Sequence, residues 1–191
     1  MAPKLILTGF MATGKSAVAR VVAQRLGWRL LDCDEMIVAR HGQPIAQIFR
    51  DHGEAHFRML ERNLIAEIAG ERRHCALCGN PRPAVVATGG GAIVDPQNFA
   101  ALSRAGVVIC LVARPEVIAR RIGPAAASRP MLTEGGKPLA VRIGELIAAR
   151  RAAYARAPVT IDTSDLNVRA VAEATIAAYA LHGRAKWAAS A

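Results

Sequence analysis

The feature that most narrows the fold lies near the start of the chain, where Lys4-Leu5-Ile6-Leu7-Thr8 runs into Gly9-Phe10-Met11-Ala12-Thr13-Gly14-Lys15-Ser16. The second segment is a complete GxxxxGK[ST] pattern. The apolar run before it reads as a strand, and the amphipathic stretch 16–26 behind it reads as a helix. A loop in that position must offer consecutive backbone N–H groups to an anion, which calls for small residues and unusual dihedrals near the glycines. The helix beginning at about Gly14 aims its positive end at the same anion. Lys15 is then placed to reach the β- and γ-phosphates of a nucleotide, and the Ser16 hydroxyl to ligate Mg²⁺. A chance match in a glycine-containing turn would not come with a strand in front and a helix behind.

Four further apolar runs, 28–32, 84–88, 107–112 and 159–162, read as strands. Between them, 35–40, 54–69, 96–105 and 139–154 repeat apolar residues at spacings of three and four, and 167–181 adds an Ala-rich C-terminal helix. Strands alternating with helices imply a parallel sheet covered on both faces. The strands carry Val and Ile without polar alternation, as a sheet buried on both sides requires. Apolar residues make up 52% of the chain and aromatics only 4%, so the core must be built from Ala, Val, Ile and Leu. The 191 residues suffice for one well-buried domain, and no internal repeat or domain boundary is visible. No apolar run is long enough to span a bilayer, and the N-terminus lacks a signal-peptide pattern, so a cytoplasmic protein is expected.

Two segments break this rhythm. Residues 70–83 are polar, with Gly and Pro punctuation, and read as a loop before the third strand. Residues 122–138 are long, Gly/Pro-marked and contain Arg129; such loops in compact domains are usually functional, commonly lids. The net charge of +10 raises nucleic acid as a partner. The basic residues are spread along the chain, however, and no aromatic-rich strand offers stacking surface, so a pocket for phosphates and a carboxylate accounts for the charge better. Neither nucleic acid nor membrane is expected as a partner.

On the acceptor side, Leu31-Asp32-Cys33-Asp34 closes the second strand run. In an extended segment Asp32 and Asp34 would project to one face, at the strand ends where the phosphate loop also lies. One carboxylate could hold a Mg²⁺-bound water and the other accept a hydrogen bond from an attacking hydroxyl. Alternatively, Asp34 merely caps the following helix. Arg58 and Glu61 are three apart and fit either a surface helix pair or a clamp in which Arg58 grips a substrate carboxylate. Thr88-Gly89-Gly90-Gly91 ends the third strand, where missing side chains let a ligand approach the backbone.

Together these segments resemble the shikimate kinase family. The resemblance is carried by residues 9–16, Leu31-Asp32-Cys33-Asp34, the stretch 48–54 with Phe57-Arg58, Ala87-Thr88-Gly89-Gly90-Gly91, Ser128-Arg129-Pro130-Met131-Leu132, and Arg150 with Tyr154, in the family's order over most of residues 4–165. It implies a P-loop NTPase fold, a three-layer α/β/α sandwich around a five-stranded parallel sheet of order 2-3-1-4-5, with a lid. It implies ATP and Mg²⁺ as cofactors, shikimate as substrate and a monomer. Ala12, Thr13, Gly14, Lys15, Ser16 and Ala17 would wrap the ATP phosphates, and Ser16 with Asp32 would hold the metal. Asp34 would bind the ring hydroxyls and receive the proton of the attacking one. Arg58 and Arg150 would grip the carboxylate, backed by Gly89, Gly90 and Gly91. Arg129 would join Lys15 in neutralising phosphate charge, with Arg121 near the adenine.

Departures from the family are also visible. Ala12 stands where the family often has Gly and Ala17 where it often has Thr, and the lid is about one residue longer between Arg121 and Arg129. The stretch Thr163-Ser164-Asp165-Leu166-Asn167 offers adenine-contacting candidates without a firm match. Residues 70–83 carry His74-Cys75-Ala76-Leu77-Cys78, which reads as an insertion with free thiols or as part of a zinc site lacking a visible fourth ligand. Cys33 and Cys110 read as free thiols as well. Rival readings are a P-loop kinase for gluconate or a nucleoside monophosphate, and a silent homologue that binds a partner through its basic surface. The silent homologue would predict damage at Lys15, Asp34, Arg58 or Arg129, and all four are intact.

Overall fold

The computed structural model describes residues 3–70, 82–123, 132 and 136–188, with side chains up to residue 183. Its sheet has five strands, β1 (Lys4–Thr8), β2 (Arg29–Asp32), β3 (Ala84–Ala87), β4 (Val107–Val112) and β5 (Val159–Asp162), in the spatial order β2-β3-β1-β4-β5. All four pairings are parallel, with Leu7 opposite Ala87 and Ile109 on either side of the central strand. This is the order that the family resemblance implies.

Parallel pairing follows from what separates the strands. The helices are α1 (Lys15–Leu26), α2 (Cys33–His41), α3 (Ile45–Gly70), α4 (Pro96–Ala105), α5 (Pro115–Ile122), α6 (Leu139–Tyr154) and α7 (Val168–Ala188), with a 3₁₀ turn at Ala92–Val94. Because successive strand residues face opposite sides, the sheet feeds two cores. Leu5, Leu7, Val85, Ile109 and Leu111 pack with Val18, Val22 and Val171 under α1 and α7. Ile6, Val86, Val108 and Cys110 pack with Ile65, Leu102, Ile118 and Ile143 on the other side. That second face carries α3, α4, α5 and α6, completing three layers.

Two helical segments are absent from the sequence-based expectation. Helix α5 has Val117, Ile118 and Ile122 buried at helical spacing, but its eight residues run straight into the Gly/Pro-rich stretch that obscures them. Helix α3 begins at Ile45 and is broken at Gly53, whose φ of 80° and ψ of 171° lie outside the helix. A left-handed φ there costs glycine little, so the break falls one residue before the start at 54 expected from periodicity. Cys33 and Cys110 are free and buried. The lid residues 124–131, with Arg129, and the insertion residues 71–81, with Cys75 and Cys78, lie outside the described residues.

Candidate active site

The C-terminal ends of all five parallel strands open on one edge, so the loops that follow them meet there. Gly9 leaves β1 with φ of 128°, and a Cβ on it would fall 2.0 Å from the Leu111 carbonyl oxygen of β4. Only glycine lets the loop turn this close to the neighbouring strand. Inside the loop, the Thr13 hydroxyl and the Lys15 ammonium both donate to the Phe10 carbonyl at 2.8 Å. These bonds hold the loop rolled around its own carbonyl, with Lys15 9% exposed. Ala12 has φ of 58°, a left-handed conformation that is unfavourable for any residue with a Cβ.

The far wall of the loop is tied to β5. The Arg121 guanidinium donates to the Thr163 hydroxyl at 2.9 Å and carbonyl at 2.5 Å, and to the Ala12 carbonyl at 3.4 Å. The Thr163 hydroxyl donates in turn to the Thr13 carbonyl at 3.1 Å. Thr163 stood only as one candidate in its stretch; its role as a strut needs the chain crossing that brings β5 beside the loop. Arg114 pairs with Asp165 at 2.6 Å on the same rim.

The Asp32-x-Asp34 pair is arranged differently from the extended geometry expected from its spacing. Strand β2 stops at Asp32, and Asp34 already lies in the first turn of α2. It is Asp32, not Asp34, that caps this helix: its Oδ1 accepts from the Asp34 and Glu35 backbone N–H groups at 3.1 and 3.3 Å. Capping satisfies the orphan donors of the helix start, and that demand overrides continued extension. The second oxygen, Oδ2, is buried with no hydrogen-bond partner. A buried carboxylate oxygen left unpaired at the mouth of the phosphate loop suits a hydrated hard cation.

Across the edge, each glycine of Gly89-Gly90-Gly91 makes room for a different group. A Cβ on Gly89 would fall 2.4 Å from Glu61 Oε1 and 3.1 Å from Asp34 Oδ1. On Gly90 it would fall 3.2 Å from the Met11 backbone nitrogen of the phosphate loop, and on Gly91 2.7 Å from Arg58 Nη2. The close approaches around these glycines therefore come from the phosphate loop and from three charged side chains. Tyr154 at the end of α6 fastens the segment by donating its hydroxyl to the Gly90 carbonyl at 2.7 Å.

Arg58 and Glu61 are not a surface pair. The Glu61 side chain is 1% exposed, and its Oε2 accepts from Arg58 Nη1 at 2.8 Å, while Glu54 accepts two further bonds from Arg58. Burial holds the Glu61 carboxyl above its ordinary range; Arg58 opposes that shift and Asp34 adds to it. Arg150 also acts on Glu61, packs 5.5 Å from the centre of the Phe10 ring and hydrogen-bonds Tyr154. Two arginines from α3 and α6 thus meet two carboxylates over the glycine segment, beside the phosphate loop. Sequence spacing leaves Glu61 undecided because its burial depends on which face of α3 meets β3.

With this geometry in view, the known proteins that the chain resembles are consistent. The family model for shikimate kinase matches residues 11–180. A shikimate kinase of Geobacter metallireducens is 42% identical over 172 residues, covering 90% of this chain and 89% of its own length. One from Caldanaerobacter subterraneus subsp. tengcongensis is 39% identical over 92% of this chain and 95% of its own. The chain belongs to the shikimate kinase family. Among solved structures, shikimate kinase from Acinetobacter baumannii in complex with shikimate superposes with a TM-score of 0.80 at 29% identity, covering 92% of each chain. Family membership makes the chain an ATP-using kinase and sets aside the silent-homologue and gluconate readings as first choices.

Proposed function

We propose that the site transfers the γ-phosphoryl group of ATP to the 3-hydroxyl of shikimate, giving shikimate 3-phosphate and ADP. The observation that carries this reading is the convergence of Asp34, Glu61 and Arg58 on Gly89 and Gly91 while Gly90 abuts the phosphate loop. An acceptor held by the first group lies against phosphates held by the second. Arg58 and Arg150 grip the substrate carboxylate, a bidentate task suited to guanidinium. Glu61 is sealed from solvent and does not contact the substrate; it aims Arg58 from the buried side.

Asp34 accepts the proton of the attacking hydroxyl as the oxygen–phosphorus bond forms and the bond to the ADP oxygen breaks. The residues of the phosphate loop, Ala12 to Ala17, wrap the phosphates, and Lys15 swings from the Phe10 carbonyl onto the β- and γ-oxygens. Ser16 and the unpaired Oδ2 of Asp32 would hold Mg²⁺, the latter through water; the ion supplies charge neutralisation between the phosphates. Arg121 and Thr163 border the adenine side, and Arg129 completes the charge balance from a lid at about 122–138. Most of the acceleration in such a site comes from positioning and preorganised charge. We read the chain as one domain, acting as a cytoplasmic monomer.

The test is ADP release with Mg²⁺, offering shikimate, gluconate and nucleoside monophosphates separately. Turnover is expected with shikimate alone and should fall about 10²–10⁴-fold in Asp34→Asn, as loss of a general base does. Turnover with another acceptor would leave the phosphate-loop reading standing and overturn the substrate.

A further inference from the structure

The variable positions of a GxxxxGK[ST] loop serve phosphates through their backbone N–H groups, which asks only for small side chains. Phe10 departs from that requirement. Its ring is 2% exposed and packs into the core that also holds Tyr154 and Cys110. Arg150, far along the chain in α6, sets its guanidinium over this ring, with Cζ 5.5 Å from the ring centre. One turn further along the same helix, the Tyr154 side chain hydrogen-bonds Arg150. We propose that Phe10 is a positioning residue for the acceptor: its ring face orients Arg150, so that the phosphate loop itself aims the carboxylate clamp. This role rests on the reading in which Arg150 grips the shikimate carboxylate.

The two arginines of the clamp are held in contrasting ways. Arg58 is gripped by carboxylates, Glu54 accepting from it at 3.0 and 3.1 Å and Glu61 at 2.8 Å. Each of those bonds occupies a donor and offsets charge that a substrate carboxylate would use. An aromatic ring does neither. It attracts a cation through its electron-rich face, whereas guanidinium donors point outward in the plane of the group. Stacking therefore fixes that plane and leaves in-plane N–H groups for a bidentate partner. It also removes rotamer freedom that a long side chain otherwise loses on binding. The backbone of Phe10 serves the other half of the site: its carbonyl accepts from Lys15 and Thr13, each at 2.8 Å. A Cβ on Gly90 would stand 3.6 Å from its carbonyl carbon, and the Gly90 carbonyl accepts from the Tyr154 hydroxyl at 2.7 Å. One residue thus borders the phosphate lysine, the glycine wall and the carboxylate arginine.

The experiment is steady-state ADP release by the full chain with Mg²⁺, varying shikimate at saturating ATP and then ATP at saturating shikimate. Phe10→Leu and Phe10→Met remove the ring face and keep an apolar filling, and each is made in the parent and in Arg150→Gln. In the parent, both should lower kcat/KM for shikimate about 5–30-fold, the worth of a desolvated cation–ring contact. The loss should fall on the shikimate KM and leave the KM for ATP within about twofold. In Arg150→Gln the same changes should cost less than about twofold, because the cation they serve is gone. Equal losses in both backgrounds, or failure of both ring-free variants to fold, overturn the proposal and leave Phe10 a core residue. A loss that falls on the KM for ATP overturns it equally and confines the ring to shaping the phosphate loop. Unchanged shikimate kinetics in both variants overturn it with the shikimate reading intact; a parent that does not turn over shikimate overturns both.

Discussion

Gly89→Ala tests the acceptor wall most sharply. The new methyl would sit 2.4 Å from Glu61 Oε1, where ordinary contact begins at 3.4 Å, so the carboxylate must retreat by about 1 Å. Glu61 is sealed from solvent, and its other oxygen holds Arg58 at 2.8 Å. The retreat stretches that bond toward about 3.8 Å, beyond hydrogen-bond range. Losing a hydrogen bond to a charged group costs about 1.5–3 kcal/mol, and this is the stability loss expected in a urea melt. The functional loss should be larger, because a shift of about 1 Å in a positioning group costs about 100-fold in rate. Steady-state ADP release should therefore show kcat/KM for shikimate down about 100-fold while the KM for ATP changes little. A folded Gly89→Ala variant with shikimate kinetics within about twofold of the parent would refute the view that Glu61 aims Arg58.

Other changes test neighbouring parts of the same structure. Tyr154→Phe removes the hydroxyl that holds the Gly90 carbonyl and should cost about 1 kcal/mol of stability in a denaturant melt. Ala12→Gly relieves the left-handed φ of 58° and, after the entropic cost of glycine, should gain up to about 1 kcal/mol by thermal melting. The Glu61 carboxyl is raised above 4.5 by burial, so the folded state keeps its proton to higher pH than the unfolded chain does. Its contribution to stability is complete below that value and is lost as pH rises through the raised one. Relative to Glu61→Gln, the parent should thus lose stability with rising pH in urea melts; a gain would contradict the assignment.

How much was legible beforehand differs by level. The phosphate loop, the five strands and the strand–helix alternation all follow from local pattern, because apolar periodicity and glycine placement act within a few residues of chain. Asp34 and the glycine triplet were recognisable as site candidates from their positions after strands, whereas Arg58, inside a helix, was left open by spacing and singled out only by the family resemblance. Capping entered the sequence reading only as an alternative role for Asp34; the structure gives it to Asp32, because spacing alone cannot say where a strand yields to a helix. Helix α5 was missed because eight residues with three buried positions give too little period beside a long Gly/Pro-rich stretch.

Sequence by itself determined that this chain winds a parallel sheet around a phosphate loop, since short-range sterics and burial leave few other outcomes. Only the tertiary structure decided that Glu61 is sealed behind Arg58, that each of three adjacent glycines faces a different neighbour, and that Thr163 braces the loop from β5. Those contacts join residues far apart in the chain, and their energy depends on which faces meet, a quantity no local pattern contains.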